Sequence, residues 1–330
     1  TEKLADFIES DNDHDLSDVA YTLQLGRVPF KFRRTVAVSK SQSSEEIAKT
    51  IRVGGQNRKE LDNDPRVVFM FPGGGTQYVN MAKGLYQNEP RFKESMDQCA
   101  QLIKGRIGLD VIGLIYPEAS EVEANKITLE KPLNFFAALF AVEYSLAKLW
   151  ISWGINPDAV IGHSLGEYIA ATVAGIFSLE DAINLVCYRG ELFERIEKGS
   201  MFSVTLPAEQ VEALLIEGVS IATINDQYQC VVAGRFEPMQ QFASILEKED
   251  ISYTKLAIDT AGHSPMVDSI LDDFGQFLSQ IRYQEPTIPI ISNMSGDWAS
   301  TDEICQPDYW KKHLRQTVRF SDGVTTLLNE

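Results

Sequence analysis

A serine hydroxyl becomes a useful nucleophile only beside a base that takes its proton. Residues 157–168 read Pro-Asp-Ala-Val-Ile-Gly-His-Ser-Leu-Gly-Glu-Tyr. Within them Gly162-His163-Ser164-Leu165-Gly166 has the G-x-S-x-G spacing of a nucleophile elbow, which needs small residues where the backbone doubles back. The bare pattern also fits a glycine-rich turn with an incidental serine. Four histidines could serve as the base: His14, His163, His263 and His313. His14 lies in an acidic stretch and His313 in a helix-compatible one. His163 adjoins the serine on a tight turn, so it points elsewhere and shapes the pocket. His263, in Thr260-Ala261-Gly262-His263-Ser264-Pro265-Met266, is the preferred base, with a structural histidine the alternative.

Two more groups could serve the same chemistry. Pro72-Gly73-Gly74-Gly75-Thr76-Gln77 follows an apolar run and lacks the G-x-x-x-x-G-K-[ST] pattern, which excludes a nucleotide phosphate loop. A glycine-rich loop in that place can supply an oxyanion N–H, with Gln77 the expected donor. Arg189 follows the serine by 25 residues, and its helical neighbours include Ala182, Leu185, Val186 and Phe193. Burying an unpaired guanidinium is costly, so Arg189 must meet a carboxylate, internal or belonging to a ligand.

The elements that position these groups are legible as periodicity. Val67–Phe71 and Ala159–Ile161 read as buried strands, and residues 135–153 as a long helix ahead of the elbow. Ser178-Leu179-Glu180-Asp181 opens a further helix with a capping-box-like start. From 200 to 259 the order is strand, helix, strand, strand, helix, strand, with strands at 202–206, 219–224, 230–233 and 252–258. This is the ferredoxin-like βαββαβ signature. Residues 1–62 form a separate polar segment, with a helix near 15–23 and a strand at 34–38, punctuated by Asp62-Asn63-Asp64-Pro65.

Composition bounds the class. The 330 residues are 44% hydrophobic, enough for a large core and more than one domain. The formal charge of −17 argues against nucleic acid and anionic membranes as partners. Residues 1–60 hold ten basic and ten acidic side chains, so the whole excess lies beyond them. An anionic substrate would therefore need a local cation. The apolar run 135–142 is too short to span a bilayer, and the N-terminus lacks a signal-peptide pattern. The start at Thr1 is expected of a piece excised from something longer. Four dispersed cysteines without C-x-x-C point to free thiols in a cytoplasmic setting.

Taken together, these residues resemble the malonyl-type acyltransferase domains of modular polyketide synthases, relatives of the malonyl-CoA:acyl-carrier-protein transacylases. Residues 18–27 and Phe32-Arg33-Arg34 resemble the linker that joins a ketosynthase to the acyltransferase. Phe71–Gln77 is similar to the family's oxyanion loop, Leu149–Glu167 to its nucleophile region and Tyr188-Arg189-Gly190 to its carboxylate-binding arginine. His263–Met266, Ser292–Gly296 and Tyr309–Phe320 are similar to its later motifs. The resemblance implies an α/β fold: an α/β-hydrolase-like large subdomain (63–199 and 260–330), an inserted ferredoxin-like small subdomain (200–259) and a preceding small α/β linker domain (1–62).

It further implies ping-pong acyl transfer in polyketide biosynthesis. Ser164 is activated by His263, and Gln77 and Leu165 N–H groups hold the oxyanion. Arg189 grips the carboxylate of a malonyl-class unit, and Asn293 orients the histidine through its backbone carbonyl. No cofactor is bound. The donor is a CoA or carrier-protein thioester, the acceptor the phosphopantetheine thiol of an acyl carrier protein, and a ketosynthase domain is adjacent. Two departures stand out. Phe136-Ala137 replaces a common Gln-Pro, which removes one polar pocket contact. The tetrad Thr260-Ala261-Gly262-His263 replaces the His-Ala-Phe-His of malonyl relatives and the Tyr-Ala-Ser-His of methylmalonyl ones. Gly262 enlarges the space beside the α-carbon, which admits malonyl or a hydroxy-, amino- or methoxymalonyl unit. Leu165 points the other way from methylmalonyl enzymes, which more often carry glutamine there. The competing readings are a serine hydrolase or thioesterase, which needs an acid between serine and histidine in the chain, and a non-catalytic docking module.

Overall fold

The computed structural model describes residues 1–10, 15–28, 34–54, 65–256 and 258–330. His14, Phe32, Arg33 and the punctuation at 62–64 lie outside them. The chain divides into two compact units, Thr1–Arg66 and Val67–Glu330.

In the first unit the described residues form three helices, Glu2–Ser10, Leu16–Leu25 and Ser44–Val53. Asp15 caps the second by accepting from the Ser17 N–H, and Ser43 with Glu46 makes a full capping box on the third. Ala5 and Ile8 pack with Ile47, Ala48 and Ile51 to form a small core. The strand expected at 34–38 is absent, so the described part of this unit is helical and not α/β. That segment has β-branched residues but no described partner strand, and an isolated strand leaves its backbone groups unpaired.

The second unit holds two sheets. Strands β1 (Val68–Phe71) and β2 (Ala159–Gly162) pair in parallel, Val68 opposite Ala159. Strands β3 (Gly199–Val204), β4 (Val219–Asp226), β5 (Gln229–Arg235) and β6 (Tyr253–Lys255) form the antiparallel sheet, in spatial order β4-β5-β3-β6. With its helices Ala208–Glu212 and Phe236–Lys248, this is the expected βαββαβ order. Its last strand is shorter than sequence suggests, and Ala257 within that expectation is outside the described residues. Strand β7 (Ile290–Ile291) completes the first sheet as β1-β2-β7.

Strand β2 is buried along its whole length, which explains its uninterrupted Ala-Val-Ile run. The helix Pro132–Ser152 packs nearby with twelve buried residues. By length and composition alone it could cross a membrane, but 61% of its apolar window is buried within the fold. The short run 135–142 is thus part of a 21-residue core helix.

Small residues are obligatory where β2 turns into the helix Leu165–Ala174. A Cβ at Gly166 would stand 2.0 Å from the Phe71 carbonyl oxygen, and one at Gly162 2.0 Å from the Glu167 nitrogen. Both obstacles are backbone and cannot rotate away. Gly166→Ala should therefore cost more than the ~1–3 kcal/mol of ordinary overpacking. Gly84→Ala, where a Cβ meets nothing within 4 Å, should leave stability level or slightly higher. Urea denaturation of the two variants side by side checks this. Equal midpoints would contradict the tight-elbow account.

Candidate active site

Ser164 stands at the N-cap of the helix Leu165–Ala174 with φ 52° and ψ −110°. His263 is also at positive φ, 54°. Such backbone is sparsely populated for non-glycine residues, and surrounding structure must hold it there. The two strained residues meet: Ser164 Oγ lies 2.7 Å from His263 Nε2. His263 is 4% exposed, and its Nδ1 is 2.9 Å from the backbone carbonyl of Gln316, a placement in which Nδ1–H donates and Nε2 accepts from the serine.

Asn293 does not orient the histidine. Its carbonyl accepts from the Arg319 N–H at 2.7 Å, so it is occupied elsewhere. Its side chain instead braces the elbow. Oδ1 accepts from the Ser164 N–H at 2.8 Å, and Nδ2 donates to the Gly162 carbonyl at 2.6 Å. Asn293 is held in turn by its own N–H donating to Glu167 Oε2 at 2.8 Å. The fully buried Glu167 also accepts from the Tyr309 hydroxyl, which lies 2.7 Å from Ser292 Oγ. Sequence reading missed Glu167, although a carboxylate in the otherwise apolar run 165–171 was the available signal.

Arg189 comes from the helix Leu179–Phe193 and is 2% exposed. The internal-carboxylate alternative fails, since no described carboxylate pairs with it, and Nε and Nη1 have no hydrogen-bond partner. Its guanidinium lies against aromatic rings, 4.5 Å from the Phe136 centroid, 5.1 Å from Phe193 and 5.2 Å from Tyr168. Cation–π contact holds the fork but neutralises nothing. Nη2 is 3.5 Å from Ser164 Oγ, so the cation faces the nucleophile. Phe136, where a glutamine was expected from the resemblance, therefore supports the arginine with its ring.

A cavity of about 180 Å³ holds Ser164, His263 and Arg189 together, with Leu165, His163, Thr260, Gly262 and Gly74 in its wall. His163 Nε2 is 2.8 Å from Asn225 Oδ1, which turns its ring toward β4 and away from the serine. The Leu165 N–H makes no described hydrogen bond and stands in the first turn after the nucleophile. Gln77 is placed differently from expectation. Its Oε1 accepts from the Gly75 N–H at 2.8 Å, and it lines two adjoining cavities; Gly74 is the loop residue in the serine cavity. The segment after Gln316 joins β4: Ile224 N–H donates to the Val318 carbonyl at 2.8 Å, and Val318 N–H to Ala222 at 2.9 Å.

Burial is the largest influence on the titrating groups. It pushes the His263 imidazole well below the ordinary histidine value, helped by neighbouring His313 and Arg189 and opposed by the Gln316 carbonyl. It lowers Arg189 too, and lowers His163 against the opposing bond to Asn225. His263 is thus a neutral base beside a buried cation. No described group of histidine, cysteine and acidic residues is arranged to hold a metal ion.

Residues 68–330 match the acyl transferase domain family. The chain belongs to that family. The acyltransferase domain is 34% identical to a phenolphthiocerol/phthiocerol polyketide synthase of Mycobacterium tuberculosis, over 98% of this chain but only 22% of that synthase chain. Residues 1–47 match the CurL-like, PKS C-terminal family. Among solved structures, the acyl transferase domain of ZmaA is 36% identical with a TM-score of 0.90, covering 99% of this chain and 76% of that one. FabD from Acinetobacter baumannii is 26% identical with a TM-score of 0.71, covering 80% and 84%. The fold is the hydrolase-like and ferredoxin-like combination expected from sequence.

The hydrolase reading needed a Ser–acid–His order, and the carbonyl of Gln316 occupies the place that an acid would take. The docking-module reading leaves the Ser164–His263 contact and the unpaired arginine beside it without a purpose.

Proposed function

We propose that this acyltransferase moves a malonyl-class unit, malonyl or a small 2-substituted malonyl, from a CoA or carrier-protein thioester to the phosphopantetheine thiol of an acyl carrier protein in polyketide assembly. The observation that carries this reading is the buried, carboxylate-free guanidinium of Arg189 facing the Ser164–His263 pair. A substrate with its own carboxylate supplies the missing charge, and the planar fork suits bidentate contact.

In the first half-reaction Ser164 Oγ attacks the thioester carbonyl and its proton passes to His263 Nε2. The Leu165 N–H, with one from the glycine loop assigned to Gln77, meets the oxyanion. The C–S bond breaks, the thiolate takes the proton from His263, and acyl-Ser164 remains. In the second half the carrier thiol gives its proton to His263 and attacks the ester. The C–O bond then breaks, and Ser164 recovers its proton. Thr260 and Gly262 border the substrate in this reading.

The adjoining cavities carry Lys126, Lys131, Lys198 and Lys255, local cations for the phosphate of a pantetheine arm in an otherwise acidic protein. Residues 1–62 are read as the linker to a ketosynthase, supported by the match of 1–47, and the setting as cytoplasmic.

Intact-protein mass spectrometry tests the reading. Malonyl-class thioesters should add one acyl mass, localised to Ser164 by peptide mapping, and holo carrier protein should discharge it. Absence of any adduct, or release to water in preference to the carrier thiol, would overturn it.

A further inference from the structure

A second buried polar group in the serine cavity lacks a partner. Thr223 on β4 is 4% exposed and lines the cavity, yet its Oγ1 has no hydrogen-bond partner among the described residues. Its neighbours on that wall, Met201, Val231 and Leu256, are apolar and offer it nothing. Asn225, two residues along the strand, has its oxygen engaged by His163 at 2.8 Å. A hydroxyl buried without a partner is destabilising, and a native cavity that keeps one is shaped for a group that satisfies it.

Plain malonyl has no polar atom to spare for Thr223. In the acyl-transfer reading its carboxylate goes to Arg189 and its carbonyl oxygen to backbone N–H groups. What remains is the α-carbon, which in malonyl bears only hydrogens. The opposite wall leaves space for a substituent there. Gly262 presents a hydrogen, and even a Cβ on it would only reach ordinary contact, 3.4 Å from Phe193.

We infer that Thr223 is a specificity-determining residue that hydrogen-bonds a polar substituent, a hydroxyl, amino or ether group, on the α-carbon of the extender. This rests on the acyl-transfer reading above. A hydroxyl can donate or accept, so Thr223 serves any of the three, and it disfavours hydrogen and methyl equally because both leave it unsatisfied. Sites built around a polar contact discriminate far more strongly than apolar pockets sized to a methyl.

The test is competition between carrier-bound malonyl and 2-hydroxymalonyl thioesters, read as acyl masses on the intact protein. The unsubstituted protein should favour hydroxymalonyl. Thr223→Val, which keeps the shape and removes the hydroxyl, should lower the hydroxymalonyl-to-malonyl ratio about tenfold or more. Thr223→Ser should restore most of that ratio, and thermal melts should show both variants folded. An unchanged ratio in Thr223→Val overturns the inference alone. So does an equal fall for both donors, which would place the hydroxyl on the pantetheine arm. If the unsubstituted protein forms no acyl-enzyme with either donor, the acyl-transfer reading falls and takes this inference with it.

Discussion

Arg189→Ala should lower the malonyl-to-acetyl ratio of Ser164 acylation by about a hundredfold to a thousandfold. The guanidinium is fully enclosed, and its Nε and Nη1 have no protein partner. Losing one member of a buried, hydrogen-bonded charge pair costs about 2–5 kcal/mol, which sets this range. Acetyl thioesters carry no carboxylate and so serve as the internal standard. Arg189→Lys should recover little of the ratio, because an ammonium has neither the planar fork nor the same fit against Phe136 and Phe193. Acylation by both donors falling in parallel would show that the arginine supports the fold and not the substrate. Stopped-time mass spectrometry of the acyl-enzyme measures both rates in one experiment.

The second large effect is on pH dependence. His263 works as a neutral base, and its value in the folded protein lies well below the ordinary histidine one, chiefly through burial and then through His313 and Arg189. Acylation should thus hold its plateau as pH falls through the normal histidine range, and decline only below it. His263→Ala should cut the plateau by about 10²–10⁴-fold and abolish that acidic limb. A substrate carboxylate on Arg189 cancels one of the charges that depress His263. The limb in kcat, which reports the loaded enzyme, should therefore lie at higher pH than the limb in kcat/KM. Coincident limbs would mean that the carboxylate does not reach Arg189. An acidic limb at the ordinary histidine value would contradict the buried, neutral base.

Much of this site was legible in the sequence because its signals are local. The elbow is five consecutive residues whose two glycines answer to backbone contacts 2.0 Å away. The βαββαβ order could be read from periodicity alone, and Arg189 was marked by the apolar stripe around it. The parts that could not be read depend on distant backbone. Gln316 contributes a carbonyl, which any residue has, and it lies 53 positions from His263. The side chain of Asn293 grips the serine N–H across 129 residues, and no spacing announces which of its groups does so. Thr223 looks like an ordinary β-branched strand residue until its cavity and the lack of a partner are both known. At 34–38 the propensity was present but no described partner strand was, and strands are stabilised in pairs.

The strip Gln316–Val318 has one further consequence. It holds the catalytic imidazole at one end and hydrogen-bonds along β4 at the other, beside the strand residue that faces the extender. The wall that senses the substrate and the support of the base are therefore a single mechanical piece. Grafting a whole small subdomain from a relative, in order to change the extender, would disturb the timing of proton transfer along with the choice of substrate. Reprogramming by single side chains on β4 leaves that piece intact.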